Sequence, residues 1–374
     1  MKIEKTSASG TVLCSQGGRL LLPPAALLPW SIRRLYTATA SFARLFLSLA
    51  LLVVFFTMPC KAEGMEAGAS GMPRVFGATF PSTFSLYVLS PALLAGWNAP
   101  LRGYEKPYIP EKYQQLPVLG GWYGQGFFPD REKLLASRID SVLYITEDRE
   151  MGVDIEAQLK SIGLPVNTKK IRSLRDTIVI FREMGADYGL PERGNALAGH
   201  LQKLLDVGAR MTAGLTEDEK IRVYVSQDVD GLGTVCDDGN RSELYALAGA
   251  KNVHTCLEGM KESNMKVSFE QIMVYDPDVI LILHPVFMQR FPSDARWQNL
   301  RAVREGRVFF VPHEPFNWTD KPATFMRFIA LPWLICKFHP DRCDVDIARE
   351  TAEFMQLFFD LDLNDAAIDK ILLR

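Results

Sequence analysis

The side chains best suited to chemistry in this sequence are its histidines, cysteines and clustered aspartates. The five histidines lie far apart, and none of them has the spacing of a metal-binding pair (His200, His254, His284, His313 and His339). The chain also lacks a GxSxG elbow, an HExxH helix, a GxxxxGKS/T loop and a GxGxxG turn after the first predicted strand. The sequence therefore disfavours catalysis and predicts no metal site.

One aspartate-rich loop, SQDVDGLGTVCDDG, resembles a calcium-binding loop only in part. Asp228, Asp230 and Gly233 fit such a loop, but Leu232 and Gly239 stand where oxygen ligands are needed. We predict instead that Asp228 is either a polar contact for a ligand or a solvated turn residue.

A short apolar run near the N-terminus indicates export. Arg33, Arg34 and Arg44 precede LFLSLALLVVFFTM, residues 45–58, which has the length of a signal-peptide core and is short for a membrane span. We predict a leader over residues 1–62, cleaved after Ala62, and a mature protein in the periplasm. A retained membrane anchor is the alternative, and a lipoprotein anchor is less expected because the lipobox is poor.

Because the chain is expected to be exported, the four cysteines that follow the leader are expected to form disulfides. Cys236, Cys256, Cys336 and Cys343 belong to the mature chain, and an even set in an oxidising compartment favours disulfides. Of the three connectivities that four cysteines allow, we predict the one with the shortest loops, 236 with 256 and 336 with 343. A zinc site is the rival interpretation, but the spacings are not CxxC and no histidine pair complements them.

The elements that must position these residues alternate between strand and helix in two series, residues 74–172 and 220–374. Alternation of this kind is the signature of parallel βα units. Residues 173–219 lie between the series and contain a helical stripe of leucines without a strand-like run. We predict an α/β protein with two Rossmann-like lobes, each with a central, mostly parallel sheet, joined by a single long bridging helix. Residues 98–117, rich in Pro, Gly and Tyr, are predicted to form a surface connection.

The overall composition is typical of a globular protein, with 48% hydrophobic and 23% charged residues. The formal net charge is −2, and there is no basic stripe of the kind that binds nucleic acid.

Four motifs, in their order and spacing, resemble a known family. They are RVFGATFPSTFSLYVL (74–89), LPVLGGWYGQGFFPDREKLLASRIDSVLYI (116–145), SFEQIMVYDPDVILI (268–282) and WQNLRAVREGRVFFVP (297–312). The chain resembles, over residues 74–374, the helical-backbone family of periplasmic substrate-binding proteins. This family serves ABC importers of ferric siderophores, haem, vitamin B12 and related metal chelates.

The resemblance implies a ligand cleft at the carboxyl ends of the strands, where open α/β lobes bind their ligands. The predicted contacts are Phe80, Ser82, Trp122, Tyr123, Asp228, His284, Phe316 and Trp318. Trp122 and Tyr123 stand in a glycine-spaced loop whose backbone can approach a ligand. Trp318 is predicted to face Trp122, so that a flat ligand lies between them. The alternatives are that these aromatics cap the core and that His284 is a packed residue.

The resemblance also assigns a role to two surface glutamates. Glu132 and Glu270, each near the start of a helix, are predicted to dock on the membrane subunits of the importer, because paired charges set orientation and association rate. The alternative is that both are ordinary carboxylates favoured by the helix dipole.

We therefore expect a binding protein that captures an iron-siderophore or related metal chelate and delivers it to a permease and its ATPase. The protein is expected to need no cofactor of its own, because the ligand would carry the metal ion. Cobalamin, haem, a nickel or cobalt chelate and molybdate are alternative ligands. A periplasmic chelatase-like enzyme and a membrane-anchored sensor domain are alternatives from other classes. No nucleic-acid partner is expected, and membrane contact is expected only through the permease or an anchor.

Overall fold

The protein is described here by a computed structural model, which describes residues 71–122, 128–147, 155–237, 239–256 and 265–374. The predicted leader, its signal peptide and Tyr123 lie outside these residues. No helix in these ranges combines the length and the apolar character needed to cross a membrane.

The N-terminal lobe is built on a parallel sheet with strand order β1–β2–β3 (Val75–Gly77, Ser141–Glu147 and Val166–Ile171). Phe76 pairs with Val142, and Val142 pairs with Val166 on its other side. The middle strand contains four consecutive buried residues, as expected for a strand covered on both faces. The helices of this lobe are α1 (Phe80–Leu89), α2 (Glu111–Gln114), α3 (Arg131–Ala136) and α4 (Ile155–Ser161).

Two packed helices, α5 (Leu174–Asp187) and α6 (Pro191–Met211), connect the lobes. Pro191 begins α6, where its fixed backbone angle suits the first turn. The 21 residues of α6 bury a stripe of leucines that the sequence predicted. At Gly208 this helix packs closely against Leu331, because a Cβ at position 208 would lie 2.4 Å from the Leu331 side chain.

The C-terminal lobe has a parallel sheet with strand order β6–β4–β8–β9. Val223 pairs with Val279, and Ile280 pairs with Val308. A short antiparallel pair, β5 with β7, lies beside it. The strands are β4 (Ile221–Ser226), β5 (Gly233–Thr234), β6 (Ala250–Asn252), β7 (Met265–Lys266), β8 (Val279–Ile282) and β9 (Val308–Phe310).

The remaining helices cover this sheet and close the chain. They are α7 (Asn240–Leu247), α8 (Phe269–Tyr275), α9 (Pro285–Arg290), α10 (Ala295–Gln298), α11 (Arg301–Arg304), α12 (Arg327–Phe338), α13 (Ile347–Phe359) and α14 (Asp365–Leu372). The predicted fold class, two α/β lobes joined by a long helix, is confirmed. The residue boundaries of the lobes remain predictions.

Both predicted disulfides are present. Cys236 is bonded to Cys256 and Cys336 to Cys343, with Cα atoms 5.3 Å and 4.7 Å apart. The first disulfide encloses α7, and the hydroxyl of Ser242 in that helix donates a hydrogen bond to the carbonyl of Cys236. The local pairing chosen from the sequence is therefore confirmed.

The predicted surface connection over residues 98–117 is exposed at nine of its twenty positions, but four of its residues are buried. Asn98, Glu105, Tyr108 and Ile109 are each at most 6% exposed. Tyr108 and Ile109 belong to the main hydrophobic core, which draws the segment inward despite its proline and glycine content.

Candidate functional site

A cavity of about 390 Å³ lies at the carboxyl ends of β1 and β2, where the chain turns from strand to helix or loop. Its lining is predominantly apolar, and a small number of charged side chains reach it. Residues from both lobes contribute, including Phe80 and Trp97 from the first and Arg241 and Lys321 from the second. This position is the one in which open α/β sheets bind ligands.

Three side chains form one side of the cavity, which we call the aromatic wall: Phe80, Phe84 and Trp97. The rings of Phe80 and Phe84 stack with centroids 4.4 Å apart, and Trp97 lies 5.5 Å from Phe84. Phe316 packs behind them, 4.6 Å from Phe84. Because only Phe80 is partly exposed, this wall is a rigid apolar surface continuous with the core.

Hydrogen bonds fix the turn that carries the aromatic wall. The Asn98 side-chain amide donates to the carbonyls of Gly77 and Gly120, at 2.7 and 3.1 Å, and its oxygen accepts from the Thr83 hydroxyl. Glycine is required at 77, because a Cβ there would lie 2.4 Å from Thr83 Oγ1. The loop that begins at Asn98 is therefore tied to the start of α1.

Three charged side chains also line the cavity, and we call them the ionic wall: Glu147, Arg241 and Lys321. Arg241 donates to Asp320 through Nη1, and its Nη2 lies 3.1 Å from Glu147 Oε1. Lys321 Nζ lies 2.8 Å from Asp228 Oδ1. Burial opposes the charge of Arg241, yet the carboxylates of Asp320 and Glu147 keep its pKa above the ordinary value. Both cations of the wall therefore have carboxylate partners.

A third charged pair lies on the loop that follows Trp97. The backbone N–H of Arg102 donates to Glu105 Oε2 at 2.6 Å, and the guanidinium stands 4.0 Å from Glu105 Oε1. Glu105 is 3% exposed, and burial raises the pKa of its carboxyl. Both residues line the cavity. The site thus contains three cationic and two acidic side chains beside an aromatic surface.

The predicted ligand contacts occupy several different environments. Phe80 lines the cavity, and Phe316 lies one layer behind it. Asp228 touches the site through its ion pair with Lys321. His284 Nδ1 accepts a hydrogen bond from the N–H of Val286 at 3.2 Å, so the imidazole caps α9. Burial lowers the pKa of His284.

Three further predicted contacts lie outside the cavity lining. Ser82 is completely buried, and its hydroxyl accepts from the N–H of Ile145 at 2.8 Å, so it joins α1 to β2. Trp318 is also completely buried, with its indole N–H donating to the carbonyl of Glu314. Trp122 is partly buried and donates to Gln158. The predicted sandwich of a ligand between Trp122 and Trp318 is therefore corrected, because a buried Trp318 offers no open face.

Sequence reasoning missed most of the cavity lining, including Trp97, Asn98, Arg102, Glu105, Glu147, Arg241 and Lys321. One signal was present, since Glu147 directly follows the strand-like run DSVLYIT (140–146) and Lys321 lies in the segment after the last strand-like run, RVFFVPH (307–313). Arg241, by contrast, begins a helix, and its acidic partners are 94 and 79 residues away in sequence. Such long-range partners cannot be recognised from local spacing.

The two predicted docking glutamates occupy matching positions. Glu132 is exposed in the first turn of α3, which precedes β2, and Asp130 caps that helix. Glu270 is exposed in the first turn of α8, which precedes β8, and Ser268 caps it. A hydrogen bond from its own backbone N–H, supported by Ser268, lowers the pKa of Glu270. Both carboxylates stand in the first turn of a helix, a position that favours negative charge.

No group of three or more His, Cys, Asp or Glu side chains within the described ranges is arranged to hold a metal ion.

Residues 112–315 match the family described as periplasmic binding protein. An ABC transporter solute binding protein from Sulfurospirillum deleyianum is 33% identical, with a TM-score of 0.75 over 81% of this chain and 94% of that one. The chain therefore belongs to the periplasmic binding protein family, the solute-binding components of ABC importers.

Two curated relatives bind different solutes. The molybdate-binding protein MolA of Haemophilus influenzae is 26% identical over 149 residues, which are 39% of this chain and 40% of MolA. The high-affinity heme uptake system protein IsdE of Staphylococcus aureus is 21% identical over 282 residues, 72% of this chain and 90% of IsdE. The relatives are transport binding proteins and not enzymes, and they differ in the solute they are named for.

Proposed function

We propose that this protein captures an iron-siderophore or a related organic metal chelate in the cavity and delivers it to an ABC importer from the periplasm. The observation that carries the proposal is the combination of an aromatic wall and an ionic wall in one cavity. An organic chelate has an apolar framework that suits the first and polar or charged groups that suit the second. A bare inorganic ion would use only one of them.

The size of the cavity supports this choice. Its volume of about 390 Å³ falls in the range of about 300–1,000 Å³ that is usual for small-molecule sites. Predominantly apolar lining with a few placed polar groups is also the usual composition of such sites. Phe80, with its ring partly exposed, offers a flat contact at little cost in conformational entropy.

The direct test is a titration of residues 63–374 with ferric siderophores, cobalamin, haem, nickel-histidine and molybdate. Trp97 lines the cavity, so tryptophan fluorescence should respond to an occupant. We expect saturation at one equivalent with one of the organic chelates. Replacing Phe80 by Ala should weaken that binding about tenfold, whereas Phe128→Ala, at a side chain 77% exposed outside the cavity lining, should not. A wild-type protein that binds none of the panel contradicts the proposal.

Molybdate is the second candidate, and the cationic side chains favour it. Arg102, Arg241 and Lys321 reach the cavity together, which the sequence did not suggest. MolA, a relative, is named for this ion. Molybdate binding would be insensitive to Phe80→Ala, because a tetrahedral oxyanion gains little from an aromatic ring. That insensitivity would distinguish the two ligands in the same titration.

We also propose that Glu132 and Glu270 dock on the permease. Their equivalent positions before β2 and β8 would present one carboxylate from each lobe. A double Glu→Ala variant should keep its solute affinity and its free energy of unfolding within about 0.5 kcal/mol, since both side chains are exposed. Solute-stimulated ATPase activity of the reconstituted importer should fall. If stimulation is unchanged, the two residues are ordinary helix carboxylates.

Two further tests address the alternatives. Sequencing the N-terminus of the protein purified from the periplasm should give Glu63 as the first residue, whereas an intact leader would indicate an anchored protein. A metal-chelatase-like enzyme would release product with repeated turnover. We expect stoichiometric binding without turnover when a metal and its chelator are supplied together.

A further inference from the structure

The carboxylates that surround the ionic wall differ sharply in burial. Arg241 is shared between Asp320, whose side chain is 2% exposed, and Glu147, whose side chain is 21% exposed. Lys321 is paired with Asp228, which is also 21% exposed. A partly exposed ion pair contributes little to stability, because water screens it, whereas a buried one is costly to break. Only the partly exposed carboxylates, Glu147 and Asp228, are therefore suited to replacement by another anion.

Asp320 is held in place by a complete set of donors. Gln227 Nε2 donates to Oδ2 at 2.7 Å, and the backbone N–H of Lys321 donates to Oδ1 at 2.8 Å, in addition to the bond from Arg241. Gln227 is itself 1% exposed. The Asp320 carboxylate thus holds both the guanidinium of Arg241 and the backbone N–H of Lys321.

The backbone at Lys321 is unusual for a side chain of its size. Its φ is +54°, in the left-handed region that non-glycine residues seldom adopt. The preceding turn is fixed by Asn317 Oδ1, which accepts from the N–H of Thr319 and of Asp320 at 2.9 and 3.1 Å. Backbone strain that the surroundings hold in place is typical of binding sites. Here it occurs at a residue that lines the cavity.

We propose that Arg241 and Lys321 form an anion subsite, in which an oxyanion of the solute replaces Glu147 and Asp228 as their counter-ion while Asp320 remains bound. The inference rests on the proposed function and narrows the solute to one that carries a carboxylate or comparable oxyanion beside its apolar framework. The partly exposed carboxylates keep the cations paired while the cavity is empty. When the solute replaces them, the two cations stay paired, and the displaced carboxylates are solvated by the water that reaches them.

The exchange has a consequence for the contact between the lobes. Glu147 ends β2 in the N-terminal lobe, and Arg241 lies in the first turn of α7 in the C-terminal lobe. Their ion pair therefore joins the lobes across the cavity. A hydrogen bond from the N–H of Leu174, at the start of the connecting helix α5, to Glu243 Oε2 at 2.7 Å lies outside the cavity lining and would persist.

Two substitutions test the subsite with opposite expected signs. Lys321→Met removes a cation, so affinity for an anionic solute should fall about tenfold or more, the usual effect of losing one charged hydrogen bond. Glu147→Gln removes the competing counter-ion, so affinity for the same solute should rise. Lys266→Met is the matched control, because Lys266 forms a pair of the same 2.8 Å length with Asp230 outside the cavity lining.

Calorimetric titrations measure the affinity of each variant for three solutes and so test the anion subsite. Ferric citrate carries carboxylates on a chelate, molybdate is a free oxyanion, and ferrioxamine is a hydroxamate chelate without a free carboxylate. We expect Lys321→Met to weaken one or both anionic probes, Glu147→Gln to tighten them, and the control to change neither. The two anions distinguish a chelate arm from a free ion as the occupant.

Three results would overturn the inference. Equal affinities for Lys321→Met and Lys266→Met would show that the cation does not contact the solute. Weaker binding by Glu147→Gln would show that Glu147 is itself a contact. A wild-type protein that binds ferrioxamine but neither anion would contradict the anion subsite and leave the proposed function standing. Failure to bind every solute of the wider panel would instead contradict the proposed function.

Discussion

The aromatic wall and the ionic wall of the cavity are held in place by different interactions. Phe84 and Trp97 are each 2% exposed and are part of the hydrophobic core, so the same packing that folds the N-terminal lobe shapes its ligand surface. Arg241 and Lys321 are instead positioned by a buried carboxylate and a fixed turn. Phe84 and Trp97 cannot change without destabilising the fold, whereas the exchange proposed for the ionic wall replaces counter-ions while the fold persists.

The largest effect on stability is expected when the aromatic wall is disrupted. Phe84→Ala should lower the free energy of unfolding by about 3–5 kcal/mol, because a large buried side chain is removed and a cavity remains. Urea unfolding without solute measures this change. Phe128→Ala is the control, since an exposed side chain should alter stability by about 0.5 kcal/mol or less. A loss below about 1 kcal/mol at Phe84 would mean that the wall is separable from the core.

A smaller effect is expected on the ionic side. Asp320→Asn should cost about 1–3 kcal/mol, because the buried partner of Arg241 loses its charge and an amide N–H₂ then faces the donor of Gln227. The same unfolding experiment measures it, with Asp230→Asn as a matched exposed carboxylate. If both variants lose the same small amount, Asp320 is not the fixed element of this wall.

The smallest effect on stability is expected at Glu105, which also lines the cavity. Burial raises the pKa of this carboxyl, so its contribution to stability is fully present below the unfolded-state pKa of about 4.3 and is lost as the pH rises through the folded-state value. Glu105→Gln stays neutral and can still accept from Arg102. Its urea midpoint should exceed that of the wild type at pH 7 and approach it as the pH falls towards about 4. A lower midpoint at pH 7 would show that the ionised carboxylate stabilises the loop.

The same contrast explains how much the sequence could predict. The alternation of strands and helices, the leucine stripe of α6 and both disulfides follow from local patterns, and the structure has them. Phe80 could be placed at the cavity because it directly follows a strand. Trp318 follows a strand as well, yet it is buried, because strand ends do not specify which way a side chain turns.

The ionic wall lies beyond such reasoning for a physical reason. Glu147, Arg241 and Asp320 meet only when two lobes are assembled, and no periodicity connects them. In the loop from Asn98 to Ile109, the proline and glycine content indicates a surface position, but it does not indicate that Tyr108 and Ile109 join the hydrophobic core. Function at the level of the ligand therefore depends on contacts that are set by tertiary structure.

The close fit of Gly208 against Leu331 has a consequence for attachment to a transporter. A helix of 21 residues, about 30 Å long and in direct contact with α12 at Gly208, holds its two ends at a constant separation. A rigid spacer loses no conformational entropy when a second contact follows a first one, so the second contact forms at a high effective concentration. The two carboxylate contacts proposed for Glu132 and Glu270 would then act as one bivalent attachment, in which the loss of either carboxylate removes most of the affinity.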